Sequence, residues 1–404
     1  MRLRPRSSLA EHWFLLFLSL YIASFYVNGY LAHPQRKPST PPPQHEDYRL
    51  SVSDPSLPYG LADQHRATHR PQQSLNYLVN YTNLDLCFVS SDAITGHAGM
   101  PPCRTIKSLV ESISSGGRVG IDAPYVPRDC AMWWYTTDEL CAVMARYSLV
   151  FFIGDESLAN VFGGLLSLLR EDAHLGAVLA QRFDHERLMT SCACDSAYLD
   201  SDIACVQSRP TSVREIYDLD RTQIKCRTPG LAPFVDAQFV SLDGFPPAED
   251  DVRRLQHQLV RLVARDSKPV AFVYSHGGAR TNPKGFNPDE TAAWLSHVRD
   301  AVRATIPRVV AVREVFLTAG ATGPQVPDQM LFTHGLQAAQ RFESDLRARA
   351  ERVGFDVIGT WNATVQTRFA ADGVHNRVPV NLLKATMVVN WLDLAEPAYL
   401  SGGL

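Results

Sequence analysis

Three adjacent residues at the end of one predicted strand, Asp155, Glu156 and Ser157, have side chains that could do chemistry. The stretch Gly154-Asp155-Glu156-Ser157 follows the apolar run 148–153 and precedes a predicted helix. A glycine there lets the backbone turn sharply, and the amino end of a helix favours developing negative charge. Ser157 is therefore a candidate nucleophile, with Asp155 holding the turn. The simpler alternative is that Asp155 only caps the helix and Ser157 is an ordinary first-turn residue.

A second candidate group follows the predicted strand 269–274. Here His276 precedes Gly277 and Gly278, and Asn282 comes four residues later. Two glycines allow close approach of the backbone, so the N–H groups of Gly277 and Gly278, with the amide of Asn282, could hold an oxyanion. The alternative is a plain glycine turn with His276 in solvent.

A third candidate pair, Asp372 and His375, lies just before the last predicted helix. His375 could take the proton of a serine as general base, while Asp372 orients the imidazole and stabilises its charged form. An Asp and a His three residues apart are common by chance, but the place before the closing helix makes this pair more specific. Together the three groups predict a catalytic set of Ser157, His375 and Asp372.

Strand and helix patterns alternate through the part of the chain that carries these groups. Predicted strands are 148–153, 237–242, 269–274, 309–318 and 355–359, and predicted helices are 157–170, 250–265, 288–304, 335–353 and 379–392. Such alternation predicts a three-layer α/β/α sandwich with a mostly parallel sheet. In that fold the active site lies beyond the carboxyl ends of the strands, where the candidate residues fall.

The N-terminal region predicts export and a membrane anchor. The uncharged stretch 13–31 is long enough to cross a bilayer, and Arg2, Arg4 and Arg6 precede it. The positive-inside bias places residues 1–12 in the cytosol and the remainder outside it, as in a single-pass type II membrane protein of the Golgi or cell surface. A cleaved signal peptide is the alternative.

Composition divides the exported part in two. Residues 32–75 are rich in Pro, Gln, His and Ser and predict a disordered stem, which leaves a lumenal domain at 76–404. A net charge of -3 gives no reason to expect nucleic acid as a partner. Sequons at Asn80 and Asn362 predict N-linked glycans.

The cysteines agree with an exported domain. All eight lie before residue 227, and an even number in such a chain predicts disulfides without fixing their pairing. A zinc site is the alternative, although the spacing of Cys192 and Cys194 is not the usual one and no His pair accompanies them. Residues 87–145 predict a disulfide-tied N-terminal lobe, and residues 183–235 predict an irregular, Cys-rich segment.

The order of these motifs resembles the SGNH/GDSL hydrolase superfamily. More narrowly, the chain resembles the fungal branch of the PC-esterase group, which is related to the trichome-birefringence-like and capsule-associated polysaccharide acetyltransferases. The stretches that carry the resemblance are 125–143, 150–170, 272–282, 359–366 and 372–392. The resemblance implies a flavodoxin-like α/β fold and an enzyme that adds or removes acyl groups, usually acetyl, on glycan hydroxyls. It implies no cofactor, and the acyl donor is open.

The chain departs from the family motif at its most important position. The family runs Gly-Asp-Ser, whereas here Glu156 stands at the serine position and Leu158 stands where an Arg is often found. Three explanations stay open: Ser157 serves through a shift of one residue, Glu156 acts itself, or the chemistry is lost and a glycan-binding cleft remains. One step along a helix rotates a side chain by about 100°. That rotation would misplace Ser157 unless the turn rearranges.

The sequence therefore predicts a lumenal acyl-ester enzyme, either an O-acetyltransferase or an acetyl esterase, acting on a glycan or cell-wall polysaccharide. The first alternative is a catalytically degenerate glycan-binding or accessory protein, in which Trp133 and Trp134 could stack on sugars. The lesser alternative is a glycosyltransferase. Its metal-binding Asp-x-Asp pair would lie at 200–202 or 218–220.

Overall fold

The structure is a computed structural model that describes most of the chain from residue 100 to residue 396. The described residues are 87, 89, 94–96, 100–182, 190–198, 203–228, 230, 232, 235–263, 268–277, 286–323, 326, 328–368 and 375–396. The predicted anchor at 13–31, the stem and Asn80 lie outside them. Within the described part, no helix is both long enough and apolar enough to cross a membrane.

Strands and helices alternate as the sequence predicts, with bounds that differ by a few residues. The strands are β1 (Leu149–Gly154), β2 (Ala237–Ser241), β3 (Val270–Ser275), β4 (Val312–Leu317) and β5 (Asp356–Ile358). The helices are α1 (Ile106–Ser115), α2 (Thr137–Met144), α3 (Glu156–Arg170), α4 (Ile203–Gln207), α5 (Val213–Leu219), α6 (Glu249–Val263), α7 (Pro288–Thr305), α8 (Leu331–His334), α9 (Leu336–Arg352), α10 (Trp361–Thr364) and α11 (Val378–Ala395). The helices α4 and α5 correct the prediction that 183–235 is irregular throughout. They are too short to show a helical period in the sequence.

The five strands form one parallel sheet in the order β2-β1-β3-β4-β5. Gly154 at the end of β1 pairs with Ser241 of β2 and with Ser275 of β3, so these three strands end at the same level. From β1 the chain passes to β2 on one side of β1, and from β2 it returns to β3 on the other side of β1. Such a switch point is where ligands bind in open α/β sheets, beyond the carboxyl ends of the strands. The predicted parallel sheet is confirmed, and it places a site between the ends of β1 and β3.

The side chains of β1 alternate between two buried cores. Val150 and Phe152 pack with α1, α2, α3 and α11 on one face of the sheet. Leu149, Phe151 and Ile153 pack with α6, α7 and α9 on the other face. Every residue of β1 is buried, as expected for a parallel strand covered on both sides. The described chain is therefore a sheet flanked by two layers of helices.

Helices α3 and α11 cross closely at Gly164. A Cβ on Gly164 would lie 2.6 Å from the carbonyl oxygen of Asn381 and 2.8 Å from its carbonyl carbon, so a side chain has no room there. Helix α11 is buried along nearly its whole length. The side chain of Asn390 in this helix is bonded to the backbone of Trp133. Its Oδ1 accepts from the amide at 2.7 Å, and its Nδ2 donates to the carbonyl at 2.9 Å.

Disulfides join the N-terminal segment to the connection between α3 and β2. All eight cysteines are paired, as Cys87–Cys194, Cys103–Cys130, Cys141–Cys226 and Cys192–Cys205. The disulfide prediction is confirmed, and neither thiol of the Cys192-Ala-Cys194 stretch is available to a zinc ion. The predicted lobe is continuous with the main core, because α1 and α2 pack there. Trp134 is buried and Trp133 is half-buried, so they form no exposed platform for a sugar.

The close crossing at Gly164 makes a prediction about stability. We expect Gly164→Ala to lower the free energy of unfolding by about 1–3 kcal/mol, the usual cost of overpacking a dense interior. Chemical denaturation of the two proteins measures the difference. Gly117→Ala is the matched control, because a Cβ on Gly117 meets no atom within 4 Å. Equal stability of the two variants would contradict the close approach of α3 and α11.

Candidate functional site

Two residues fix the turn from β1 into α3. Gly154 lies against the end of β3, where a Cβ would overlap the carbonyl oxygen of Ser275. Asp155 caps α3, because its Oδ1 accepts a hydrogen bond from the amide of Ser157 at 3.1 Å. The Oδ2 of Asp155 accepts from the amide of Gly277 at 2.6 Å. One carboxylate therefore ties the start of α3 to the loop after β3.

The side chains of Glu156 and Ser157 point in different directions, because successive residues of α3 are rotated by about 100° around the helix axis. Glu156 begins the helix, and its Oε2 lies 3.3 Å from Nε2 of His375. The Oγ of Ser157 instead lies 3.7 Å from the position that a Cβ on Gly277 would take. Among the described residues, none exchanges a hydrogen bond with the Oγ of Ser157. Ser157 as nucleophile stays a prediction, and it would require the first turn of α3 or the imidazole to move.

Arg209 is a further side chain next to Glu156. Nη1 of Arg209 lies 3.6 Å from Oε1 of Glu156, and Nε of Arg209 donates to the carbonyl of Ala197 at 3.0 Å. The side chains of Glu156 and Arg209 are 26% and 12% exposed, and that of His375 is 1% exposed. Partial exclusion of water strengthens the attraction between such groups. The carboxylate of Glu156 is thus held between a guanidinium and an imidazole.

The segment that carries His375 is anchored through Asp195. The Oδ1 of Asp195 accepts from the amide of Val378, the first residue of α11, at 3.1 Å, and Oδ2 lies 3.5 Å from Nη1 of Arg377. Burial raises the pKa of Asp195, an effect that the Val378 amide and the Arg377 charge oppose. Asp195 follows Cys194, which is disulfide-bonded to Cys87. The Cys-rich connection therefore helps to position the imidazole.

His276 is buried, which excludes the alternative in which it faces solvent. Its ring centroid lies 4.0 Å from that of Phe245 and 4.9 Å from that of Trp294. Its Nε2 lies 3.2 Å from the carbonyl oxygen of Asp243, and its Nδ1 lies 3.6 Å from Oδ2 of Asp155. His276 therefore supports the carboxylate that fixes the turn. The sequence offered one signal for this role, its place directly after a buried strand.

The predicted oxyanion donors are described only in part. The N–H of Gly277 is bonded to Asp155, so in this structure it serves the turn. Gly278 and Asn282 lie outside the described residues, as does Asp372, the predicted partner of His375. Their roles stay predictions. For Gly277 to donate to an oxyanion, its amide would first have to break its hydrogen bond to Asp155.

A cavity of about 280 Å³ opens beside Glu156. One wall is a face of α3, and the other comes from the connection between α3 and β2 and from β2 itself. More than half of the lining residues are apolar, and the others are Glu156, Asn160, Tyr198, Arg209, Thr211, Ser241 and Asp243. Burial raises the pKa of Asp243, and Ser241 opposes that rise. Neither Arg209 nor Asp243 belongs to a sequence motif, and only the fold brings them to Glu156.

A fully buried lysine in α11 and a half-buried glutamate in α9 lie near the loop after β4. Lys384 is 2% exposed, and its Nζ donates to the carbonyl of Ala319 at 3.2 Å. Burial lowers the pKa of Lys384 to about 8, against the charges of Glu343 and Asp155. Burial raises the pKa of Glu343 to about 7, against the effects of Thr318 and Lys384. Sequence reasoning missed both residues, because a lone lysine in an apolar helix does not reveal its partner.

Asn362 of the second sequon and Asp220 of an Asp-x-Asp pair both make hydrogen bonds within the fold. Nδ2 of Asn362 donates to the carbonyl of Ser114 at 2.9 Å, and a glycan on this nitrogen would displace that bond. Glycosylation at Asn362 stays a prediction. Asp220 caps a short 3-10 helix by accepting from the amide and the hydroxyl of Thr222. The other Asp-x-Asp pair, 200–202, lies outside the described residues.

No known family model matches this chain, and no curated protein matches it either. Among solved structures, the chain is similar to a carbohydrate acetylesterase from Sinorhizobium meliloti. The sequences are 10% identical with a TM-score of 0.30, and the match covers 60% of this chain and 96% of the acetylesterase. A likeness of this size carries no argument about activity. The motif resemblance to the fungal PC-esterase branch stays a prediction.

The shifted pKa values of Glu343 and Lys384 together predict a minimum of stability between about pH 7 and pH 8. The folded pKa of Glu343 is raised, so the stability it contributes is present at low pH and is lost as the pH rises to about 7. The folded pKa of Lys384 is lowered, so stability is regained as the pH rises from about 8 toward the ordinary lysine value. Chemical denaturation across this range measures the effect.

Glu343→Gln should abolish the decline in stability on the acidic side of that minimum, because the group that loses its proton there is gone. Glu111→Gln is the matched control, since the side chain of Glu111 is 58% exposed and should leave the decline intact. A decline of equal size in Glu343→Gln and in the native protein would show that another group causes it.

Proposed function

We propose that this protein hydrolyses acyl esters on a glycan at the edge of the sheet where Glu156 meets His375. The observation that carries the proposal is the distance of 3.3 Å between the carboxylate and the imidazole. The pair lies at the carboxyl end of β1, next to the switch point of the sheet. A cavity opens beside it. The motif resemblance supports a glycan as the carrier of the ester.

Water is the nucleophile in this proposal, because the residue at the serine position is a carboxylate. A carboxylate is a poor acyl carrier, since the mixed anhydride hydrolyses readily. A water molecule beside Glu156 and His375 gives its proton to the pair as its oxygen bonds to the acyl carbon. The tetrahedral intermediate then collapses, the bond between the acyl carbon and the sugar oxygen breaks, and the proton passes to that oxygen. Arg209 keeps the carboxylate aimed at the imidazole.

A second candidate is binding of an acylated glycan without turnover. It is favoured by the contacts that occupy the site: Glu156 lies between Arg209 and His375, and the amide of Gly277 is bonded to Asp155. In that arrangement no serine and no Gly277 N–H is presented to an ester. The two candidates differ in whether the ester bond is broken.

We also propose that the domain works on the lumenal or extracellular side of a membrane, as a type II protein of the Golgi or cell surface. Four disulfides support an oxidising compartment, because such bonds are rare in the cytosol. The uncharged stretch 13–31 and the arginines before it support an N-terminal anchor.

Variants at the two adjacent positions distinguish the candidate mechanisms. We expect Glu156→Gln and His375→Ala to lower kcat for hydrolysis of 4-nitrophenyl acetate and of an acetylated oligosaccharide by about 100-fold or more, the usual contribution of a general base. Ser157→Ala is the matched control and should keep its activity within about threefold, because its hydroxyl does not meet the imidazole.

The opposite pattern, loss in Ser157→Ala and retention in Glu156→Gln, would establish a serine enzyme with a shifted motif. Native protein that binds the acetylated oligosaccharide but hydrolyses neither ester would overturn the proposed hydrolysis. In that case a fluorophosphonate that labels Glu156→Ser at position 156, and does not label the native chain, would identify an intact site that has lost its nucleophile.

A further inference from the structure

We propose that the cavity beside Glu156 binds the acyl group of the substrate, and that this group has about six to eight carbons rather than the two of acetyl. The inference rests on the proposed function and adds the chemical class of the ester. A cavity of about 150 Å³ lined by apolar side chains already holds benzene, with six carbons. The cavity here, at about 280 Å³, is nearly twice as large. Acetyl alone would leave most of it unfilled.

The cavity runs along one face of α3, away from the reacting pair. Glu156, Asn160, Gly163 and Leu166 all line it and follow one another at intervals of three or four residues. Between Glu156 and Leu166 the helix rises about 15 Å. An ester carbonyl held at Glu156 and His375 therefore directs its acyl chain along this face.

The inner part of the cavity is lined largely by buried apolar side chains. The lining residues Phe162, Leu166, Ala177 and Ala197 are each at most 3% exposed. A Cβ on Gly163 would lie 3.1 Å from Cβ of Ala177, so the two walls meet there. The length of chain that fits is thereby limited.

Most polar groups near this inner part are bonded to one another. Nδ2 of Asn160 donates to the carbonyl of Tyr198 at 2.9 Å, whereas Oδ1 of Asn160 is buried and accepts no hydrogen bond from the described residues. The hydroxyls of Ser167 and Tyr198 lie 3.0 Å apart in a hydrogen bond. A sugar ring would lose the hydration of its several hydroxyls there, and Oδ1 of Asn160 could compensate for that loss only in part. The occupant that fits is the hydrocarbon part of an ester, with the sugar left at the open end.

A chain-length series on the full-length protein tests the inference. With 4-nitrophenyl acetate, butanoate, hexanoate, octanoate and dodecanoate, we expect kcat/KM to rise about fourfold for each added methylene up to six to eight carbons, as burial of methylene groups predicts. It should fall for dodecanoate, because the walls approach each other at Gly163 and Ala177.

Ala159→Phe narrows the cavity and provides the matched comparison. Ala159 is half-buried and lines the cavity one turn after Glu156. We expect the ratio of octanoate to acetate kcat/KM to fall at least tenfold in this variant. Ala304→Phe, on an exposed position of α7, is the control and should keep the native ratio. Val206→Trp fills the opposite wall and replaces Ala159→Phe if that variant does not fold.

The outcomes separate the inference from the proposed function. A native preference for acetate would overturn the inference and leave ester hydrolysis standing. If no ester is hydrolysed, the proposed function fails, and the cavity is tested by titration calorimetry with octanamide, a neutral amide that mimics the ester. Binding that weakens at least tenfold in Ala159→Phe supports an acyl-binding cavity, and octanamide that does not bind the native protein overturns it.

Discussion

The carboxylate of Asp155 sets the rotational phase of α3, and the arrangement of the site depends on that phase. One of its oxygens accepts from the amide of Ser157 and the other from the amide of Gly277. With both bonds made, the first turn of α3 directs Glu156 toward His375 and directs Ser157 toward the loop after β3. The side chain that meets the imidazole of His375 is therefore decided by a helix cap, and the cap is positioned by the close contact of β1 and β3 at Gly154.

The sheet could be predicted from sequence because local signals decide it. Short apolar runs separated by amphipathic segments are typical of buried parallel strands, and β1 and β3 show this without polar interruptions. The different surroundings of Glu156 and Ser157 could also be predicted, because one step along a helix rotates a side chain by about 100°. The structure has Ser157 turned away from the imidazole by this rotation. The predicted roles of Asp372 and Asn282 stay predictions, since both lie outside the described residues.

The rest of the site could not be predicted, because its members come from elements far apart in the sequence. Arg209 and Asp195 reach the site from the Cys-rich connection, and neither has a motif. Lys384 in α11 is fully buried and Glu343 in α9 is half-buried, and both lie near the loop after β4. The bond from Nζ of Lys384 to the carbonyl of Ala319 ties α11 to this loop, which faces Gly277.

The two halves of the site are encoded in separate stretches of the chain. Glu156 lies at the sheet edge and His375 lies just before α11, whereas one wall of the cavity comes from the connection between α3 and β2. That connection is closed on itself by Cys192–Cys205 and touches β2 through the bond from the amide of Phe239 to the carbonyl of Thr211. Because the same connection also carries Asp195 and Arg209, a change in its length during evolution would alter the cavity and the surroundings of Glu156 and His375 together.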